Sequence, residues 1–133
     1  MKAEELMIGD WVTITEPDDF HGYIGKVVIT NAETNYIMVH IPNMHLHDVF
    51  VEDLQPVQLT KEILEENGFK HEQGYSSEVY RLDECFLVHY QDDIYWAVWL
   101  SENGDENMDK TFTYVHELQH IFKLLNIDKE IKL

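Results

Sequence analysis

Five short β-forming runs separated by turn signals lie within residues 1–57, and this spacing restricts the fold more than any other feature of the sequence. Glycine, proline and polar residues mark the turns between the runs. A sheet of such short strands leaves exposed edges unless it closes on itself. The spacing therefore predicts a small, closed, five-stranded β-barrel. Its predicted strands are 8–14, 23–30, 36–41 and two within 48–57.

The remaining residues, 58–133, predict a different arrangement. A helix is predicted over 59–70, with Thr60 as its N-cap and Gly68 at its end. Short turns separate three β-rich runs, which predict an antiparallel meander at 77–82, 85–90 and 94–100. A second helix is predicted over 113–126. The predicted fold class is thus α+β: a barrel subdomain (1–57) joined by a short helix to an α-β-β-β-α subdomain (58–133), in which the meander packs on the C-terminal helix.

Three motifs in the first subdomain are similar to those of Tudor and KOW barrels, which are often called Src-homology-3-like. They are Gly9-Asp10-Trp11-Val12, Gly25-Lys26-Val27 and the closing Val51-Glu52-Asp53-Leu54-Gln55-Pro56. The resemblance implies binding to peptides, modified side chains, RNA or protein surfaces. A cage for a methylated side chain needs several aromatic residues. The candidates are Trp11, Phe20, Tyr23, Tyr36 and Phe50.

Acidic residues dominate the charge of the whole chain. The formal net charge is −17, from 26 acidic and 9 basic residues, and neither half of the chain is basic. Binding to phosphate backbones requires clustered Lys and Arg, so direct nucleic-acid binding and anionic membrane surfaces are disfavoured. The acidity favours solubility. It also suits docking onto a basic partner, or a decoy that imitates DNA.

The sequence 116–120 reads His-Glu-Leu-Gln-His, the spacing of a zinc peptidase. On a helix, His116 and His120 lie one turn apart and could both bind zinc, while Glu117 would act as general base on a metal-bound water. A catalytic zinc needs a third protein ligand, and the known third-ligand spacings after His120 are missing. Only His71, His89 or an acid of the loop 101–110 could supply that ligand through the fold.

The helical phase of this segment favours a structural interpretation of the motif. At about 100° per residue, the apolar residues form one stripe and the two histidines fall on the opposite face with Lys123. That face is predicted to be solvated, and Lys123 would repel a bound metal. The apolar stripe, predicted to be buried, includes Tyr114, Leu118, Ile121, Phe122 and Leu125.

Two further sets of metal-binding or nucleophilic residues require an interpretation. His40, His45, His47 and Asp48 form a second histidine cluster, in which a His-x-His pair on an extended chain can hold a metal. With eight histidines in the chain, surface positions are the favoured interpretation. The single cysteine, Cys85, is predicted to be a small core residue of a strand.

The chain also resembles a group of short, acidic, uncharacterised proteins of gut bacteria and their phages. The resemblance rests on "LMIGDWV" (6–12), "PVQLTKEILEENGF" (56–69) and "YVHELQHIFKLLNIDKEI" (114–131). Members commonly carry a "YVHxLQ" helix, often with Gln at the position of Glu117. The resemblance therefore implies an architecture in which the general base is dispensable, and it transfers no catalytic residue.

The function expected from the sequence is a non-enzymatic interaction or accessory protein, for which association with a phage or mobile element is one setting. The alternatives are a small zinc hydrolase using His116, Glu117 and His120, and an acidic decoy for a nucleic-acid-binding protein. No catalytic residue, metal or cofactor is expected outside the zinc alternative. The expected partner is a protein, and the sequence leaves the oligomeric state open. The single cysteine, the N-terminal sequence and the lack of a long apolar run predict a cytoplasmic location without membrane contact.

Overall fold

The structure, a computed structural model, places two compact units in the chain. The first unit comprises Met1–Gln58 and Tyr114–Asp128, and the second comprises Leu59–Thr113 and Lys129–Leu133. The fold is α+β, with two antiparallel five-stranded sheets and two helices among the described residues. The residues that the structure describes are 2, 5–16, 20–30, 33, 36–44, 46–73, 77–101, 104, 106–108 and 111–133.

The first sheet forms within the N-terminal part of the chain, as predicted. Its strand order is β4-β3-β2-β1-β5, and each pair of neighbouring strands is antiparallel. A 3₁₀ turn at Val51–Asp53 separates the last two strands. The strands are β1 (Trp11–Ile14), β2 (Ile24–Ile29), β3 (Tyr36–His40), β4 (Leu46–Phe50) and β5 (Leu54–Pro56).

The hydrophobic core of the first unit lies on one face of this sheet, because side chains alternate between the two faces of each strand. Gly25 lies on the inner face of β2, where a Cβ atom would collide with the Val39 side chain, so glycine permits β2 and β3 to pack closely. The core residues on or beside this face are Leu6, Val12, Ile14, Val27, Ile37, Val39, Ile41, Val49 and Leu54.

Closure of this sheet into a barrel is not shown. The terminal strands β4 and β5 are not paired with each other within the described part of the chain. Trp11 is buried, but it alternates with Val12 along β1 and belongs to the face opposite the hydrophobic core. There the Lys26 ammonium lies 4.9 Å from the centre of its indole ring.

The second unit contains a short helix and the second sheet. The helix α1 (Lys61–Glu66) begins where predicted, because the Thr60 hydroxyl accepts a hydrogen bond of 3.1 Å from the Ile63 N–H. It ends at Asn67 and Gly68, where Gly68 has a φ of +90° that glycine adopts without strain. The sheet order is β10-β9-β8-β7-β6. Its strands are β6 (Lys70–Gln73), β7 (Glu78–Arg81), β8 (Phe86–Gln91), β9 (Ile94–Leu100) and β10 (Glu106–Met108).

The predicted meander is confirmed as β7, β8 and β9, and the sheet continues beyond it on both sides. β6 and β10 were not predicted, because both are exposed along their whole length and carry no alternating apolar pattern. Cys85 differs from its predicted core position: it is exposed in the turn before β8, where its N–H donates to the Asp83 carboxylate.

The second helix, α2 (Val115–Leu124), confirms the predicted C-terminal helix and belongs to the first compact unit. The compact units thus differ from the predicted division into 1–57 and 58–133, since Tyr114–Asp128 group with the N-terminal sheet. Leu118 and Phe122 are buried as predicted, whereas Leu125 is half-buried. Neither described helix has the length and apolar character that a membrane crossing requires.

We predict that Leu118→Ala lowers the free energy of unfolding by about 2–5 kcal/mol, because it leaves a cavity around a fully buried position. Leu124→Ala on the same helix is the matched control, since Leu124 is 75% exposed and should change stability by less than about 0.5 kcal/mol. Chemical denaturation of both variants measures the difference. Equal effects of the two substitutions would contradict the observed helical phase.

Candidate functional site

The histidine helix α2 is attached to a tight turn that precedes β1. This turn spans Met7–Asp10, with a hydrogen bond of 3.1 Å from the Asp10 N–H to the Met7 carbonyl. Gly9 has a φ of +94°, a value that glycine adopts without strain at the third position of such a turn. The Asp10 carboxylate reaches back and accepts a hydrogen bond of 2.8 Å from the Met7 N–H. The turn thereby holds the Asp10 side chain in a fixed position.

The side chain of Gln119 joins the helix to the backbone of this turn. Its carbonyl oxygen accepts a hydrogen bond of 3.0 Å from the Trp11 N–H, and its amide group donates one of 2.9 Å to the Gly9 carbonyl. Both ends of the amide therefore pair with the main chain, as a neighbouring strand would. Lys123, one turn further along the helix, donates a hydrogen bond of 2.7 Å to the Ile8 carbonyl.

The Asp10 carboxylate is fully buried and faces the side of α2 that carries Gln119 and Lys123. Its Oδ2 atom lies 2.6 Å from His120 Nε2, and Lys123 Nζ lies 4.0 Å from its Oδ1 atom. Among the described residues, Oδ1 has no hydrogen-bond partner. The positive charge near it is the Lys123 ammonium. A buried carboxylate is costly unless it is hydrogen-bonded and paired. We call these contacts of Gln119, His120 and Lys123 with residues 8–11 the helix–turn contact.

Glu117, the general base of the zinc interpretation, caps the helix that carries it. Its Oε1 atom accepts a hydrogen bond of 3.2 Å from the N–H of Tyr114, the N-cap residue. His120 Nε2 is likewise engaged, by the Asp10 carboxylate. Metal binding through His120 Nε2, with Glu117 acting on a bound water, would require both contacts to break.

His116 differs most from its predicted position. It was expected on a solvated face, but its exposure is only 6%, and its Nδ1 atom has no hydrogen-bond partner among the described residues. Its ring lies 5.5 Å from that of His120, centre to centre, and stacks on the Tyr114 ring. The solvated-face prediction is therefore wrong for His116, holds for the exposed Lys123, and is intermediate for His120.

Burial lowers the pKa of His116 below its ordinary value of 6.5. The nearby charge of Asp10 opposes this shift most strongly, with smaller contributions in the same direction from Glu117 and Glu5, whereas His120 adds to the lowering. The neutral imidazole is thus the form that the folded unit favours.

The proposed third ligands lie in the second unit and have contacts of their own there. His71 Nε2 lies 3.9 Å from the Glu78 carboxylate, and His89 Nδ1 lies 2.9 Å from the Ser77 hydroxyl. Of the acids in the loop 101–110, only Glu106 is described, and it is an exposed residue of β10. Among the described residues, no three His, Cys, Asp or Glu side chains are placed to hold a metal ion.

The second histidine cluster divides between the two faces of the first sheet. His40 and Asp48 lie on the outer face, whereas His47 is paired with Val39 on the inner face and is half-buried. The His47 ring lies 4.4 Å from that of Phe20, centre to centre. His45 lies outside the described residues.

The five candidate cage residues separate into three groups. The tilted rings of Tyr36 and Phe50 contact each other across the strands at 4.2 Å, and Phe20 lies 6.3 Å from Tyr23, both measured between ring centres. Trp11 contacts Lys26.

Several exposed apolar side chains share the outer face of β2, β3 and β4. Tyr36 lies opposite Phe50, Met38 opposite Asp48, and Ile29 beside Met38. The exposed fractions are 51% for Ile29, 47% for Tyr36, 51% for Leu46 and 40% for Phe50. We call Ile29, Tyr36, Met38, Leu46, Asp48 and Phe50 the outer patch.

Comparison with known proteins adds no relative. No protein-family model matches the chain, and searches of curated proteins and of solved structures find no significant match.

We predict that the buried His116 makes the stability of the first unit depend on pH below about 6.5. Since its folded pKa is lowered, the unfolded chain binds more protons between the two pKa values, and protonation favours unfolding. The contribution of the neutral His116 to stability is full above the pKa of His116 in the unfolded chain. It is lost as the pH falls toward the pKa of His116 in the folded chain. As the pH is lowered from 7.5 to 5.5, the free energy of unfolding of the native protein should therefore fall relative to that of His116→Gln.

The matched measurement is denaturation of both proteins at each pH, because the other titrating groups are common to both. Nuclear magnetic resonance titration of the His116 ring should place its pKa below about 6.5. A stability difference that is independent of pH, or a raised pKa, would contradict the effect of burial.

Proposed function

We propose that the protein is a non-enzymatic interaction protein, and that its outer patch docks a positively charged partner protein. The observation that carries this proposal is the exposure of four large apolar side chains on one sheet face, around the carboxylate of Asp48. Single exposed apolar residues are common on protein surfaces, whereas a contiguous group of them indicates an interaction site.

The geometry of the outer patch suits a protein partner. Tyr36 and Phe50 form a cross-strand aromatic pair, and aromatic residues contribute strongly to binding when a partner removes them from water. The pair stands on paired strands of a regular sheet, so its position is fixed before binding. A fixed position reduces the entropy that is lost on association.

Charge indicates the kind of partner. Asp48 lies within the patch, between Leu46 and Phe50 on the same face of β4, and the whole chain carries a net charge of −17. A positively charged partner would be attracted over long range and paired with Asp48 at contact. The same negative charge repels nucleic acids and other acidic chains.

A peptide selection tests this proposal directly. A random twelve-residue peptide library is displayed and selected on the immobilised full chain, and the enriched peptides are then synthesised. We expect enriched peptides with a net positive charge and apolar residues, and binding that weakens with salt. The double variant Tyr36→Ser/Phe50→Ser should lower their affinity more than about tenfold, because it removes both aromatic anchors.

Leu124→Ser is the matched control, since it removes an exposed apolar side chain outside the patch and should change affinity less than about twofold. Circular dichroism checks that each variant keeps its fold. Enriched peptides without net positive charge, or equal binding to the native protein and the double variant, would contradict the proposal.

A further inference from the structure

We infer that the free edge of β4 receives a β-strand of the cationic partner, in the pattern apolar-x-Lys/Arg-x-apolar. The inference rests on the proposed function, because it specifies how the outer patch binds its partner.

The first observation is the position of β4 at the end of the first sheet. It pairs with β3 on one side, through five consecutive residue pairs without a shift in register. In an antiparallel ladder, alternate backbone groups point to the neighbouring strand and the others point away from it. Apart from the ladder with β3 and the 3₁₀ turn for which Phe50 is the N-cap, no backbone hydrogen bond among the described residues involves Leu46–Phe50. The second edge of β4 thus offers N–H and C=O groups to an added strand.

The second observation is the sequence of side chains along this edge. Leu46, Asp48 and Phe50 alternate on the outer face, and all three are exposed. A residue of an added antiparallel strand lies directly opposite each of them on the same face. Apolar side chains would therefore face Leu46 and Phe50, and a Lys or Arg would face Asp48. The spacing of two residues between these positions defines the pattern.

The same geometry argues against a second copy of this chain as the occupant. Two-fold antiparallel pairing of β4 with itself about its middle residue would place Asp48 directly opposite Asp48 of the other copy. Like charges in that position destabilise a strand pair. Each copy also carries a net charge of −17, so the two would repel. A cationic strand relieves both penalties.

The test uses a capped peptide of sequence Thr-Val-Thr-Lys-Thr-Val-Thr and the isotope-labelled full chain. Nuclear magnetic resonance titration should shift the amide signals of Leu46–Phe50 and slow the solvent exchange of those amides that face away from β3. Replacement of the peptide Lys by Glu should weaken binding more than about tenfold. With the variant Asp48→Lys, the preference should reverse, so that the Glu peptide binds more tightly than the Lys peptide.

Backbone methylation separates strand addition from docking through side chains alone. Two peptides carry N-methyl groups on alternate residues, one on the Val and Lys nitrogens and the other on the intervening Thr nitrogens. Since alternate N–H groups of a strand point to opposite sides, one of these peptides should lose more than about tenfold in affinity and the other should be nearly unaffected.

The outcomes distinguish this inference from the proposed function. Equal binding of both methylated peptides, or no shift of the β4 amides, would overturn strand addition; binding of selected peptides that still depends on Tyr36 and Phe50 would leave the proposed function standing. Signals of β4 that shift with protein concentration in the absence of peptide would identify a second copy as the occupant and overturn the inference.

Discussion

The first unit depends on the contact of the buried Asp10 carboxylate with side chains of α2. This carboxylate has no exposed surface; the Met7 N–H of its own turn donates one hydrogen bond, and the side chains that face it, His120 and Lys123, come from α2, more than 100 residues away in the sequence. A buried charge without partners destabilises a fold far more than a paired one stabilises it. The turn before β1 and the helix α2 are therefore required together. This long-range dependence explains why Tyr114–Asp128 belong to the same compact unit as the N-terminal sheet.

Three of the five residues that spell the zinc-peptidase motif have hydrogen-bond partners within the first unit. Glu117 caps the helix, His120 pairs with Asp10, and Gln119 between them pairs with the backbone of the turn. A sequence motif is a hypothesis about its structural context. Here the described context gives each of these three side chains a partner within the first unit, and no third metal ligand is brought to them among the described residues. The proposed binding surface lies instead on the outer face of β2, β3 and β4.

The local elements of the fold were predictable from the sequence, because local signals determine them. Thr60 caps α1, and the alternating runs form the central strands of both sheets. The strands β6 and β10 have no apolar pattern of their own, so the sequence does not predict them. They are strands because each pairs with a neighbouring strand, β7 and β9 respectively. The apolar pattern predicts β4 as a strand, but it does not show whether β4 pairs with β5, since closure depends on contacts between distant strands; among the described residues the two are not paired.

The site was less predictable than the fold. The helical phase places His116 opposite the apolar stripe, yet the first turn of α2 is buried on both sides. The phase shows which residues share a face but does not show what packs against each face. The sequence places Asp10 in a motif similar to those of Tudor and KOW barrels, and it indicates no structural role for Gln119. Neither carries a local signal that it will meet the other segment, because the distance between them in sequence exceeds any periodic pattern.

A double-mutant cycle of Asp10 and His120 tests the central claim most directly. The free energies of unfolding are measured at pH 7 for the native protein, Asp10→Asn, His120→Gln and the double variant, and the coupling energy is the departure from additivity. Asp48→Asn with His120→Gln is the matched control, because Asp48 is exposed on the sheet face. The account predicts a coupling of at least about 1 kcal/mol for Asp10 with His120, and additivity in the control. Additivity within about 0.3 kcal/mol for Asp10 with His120 would show that the helix–turn contact does not hold the first unit together.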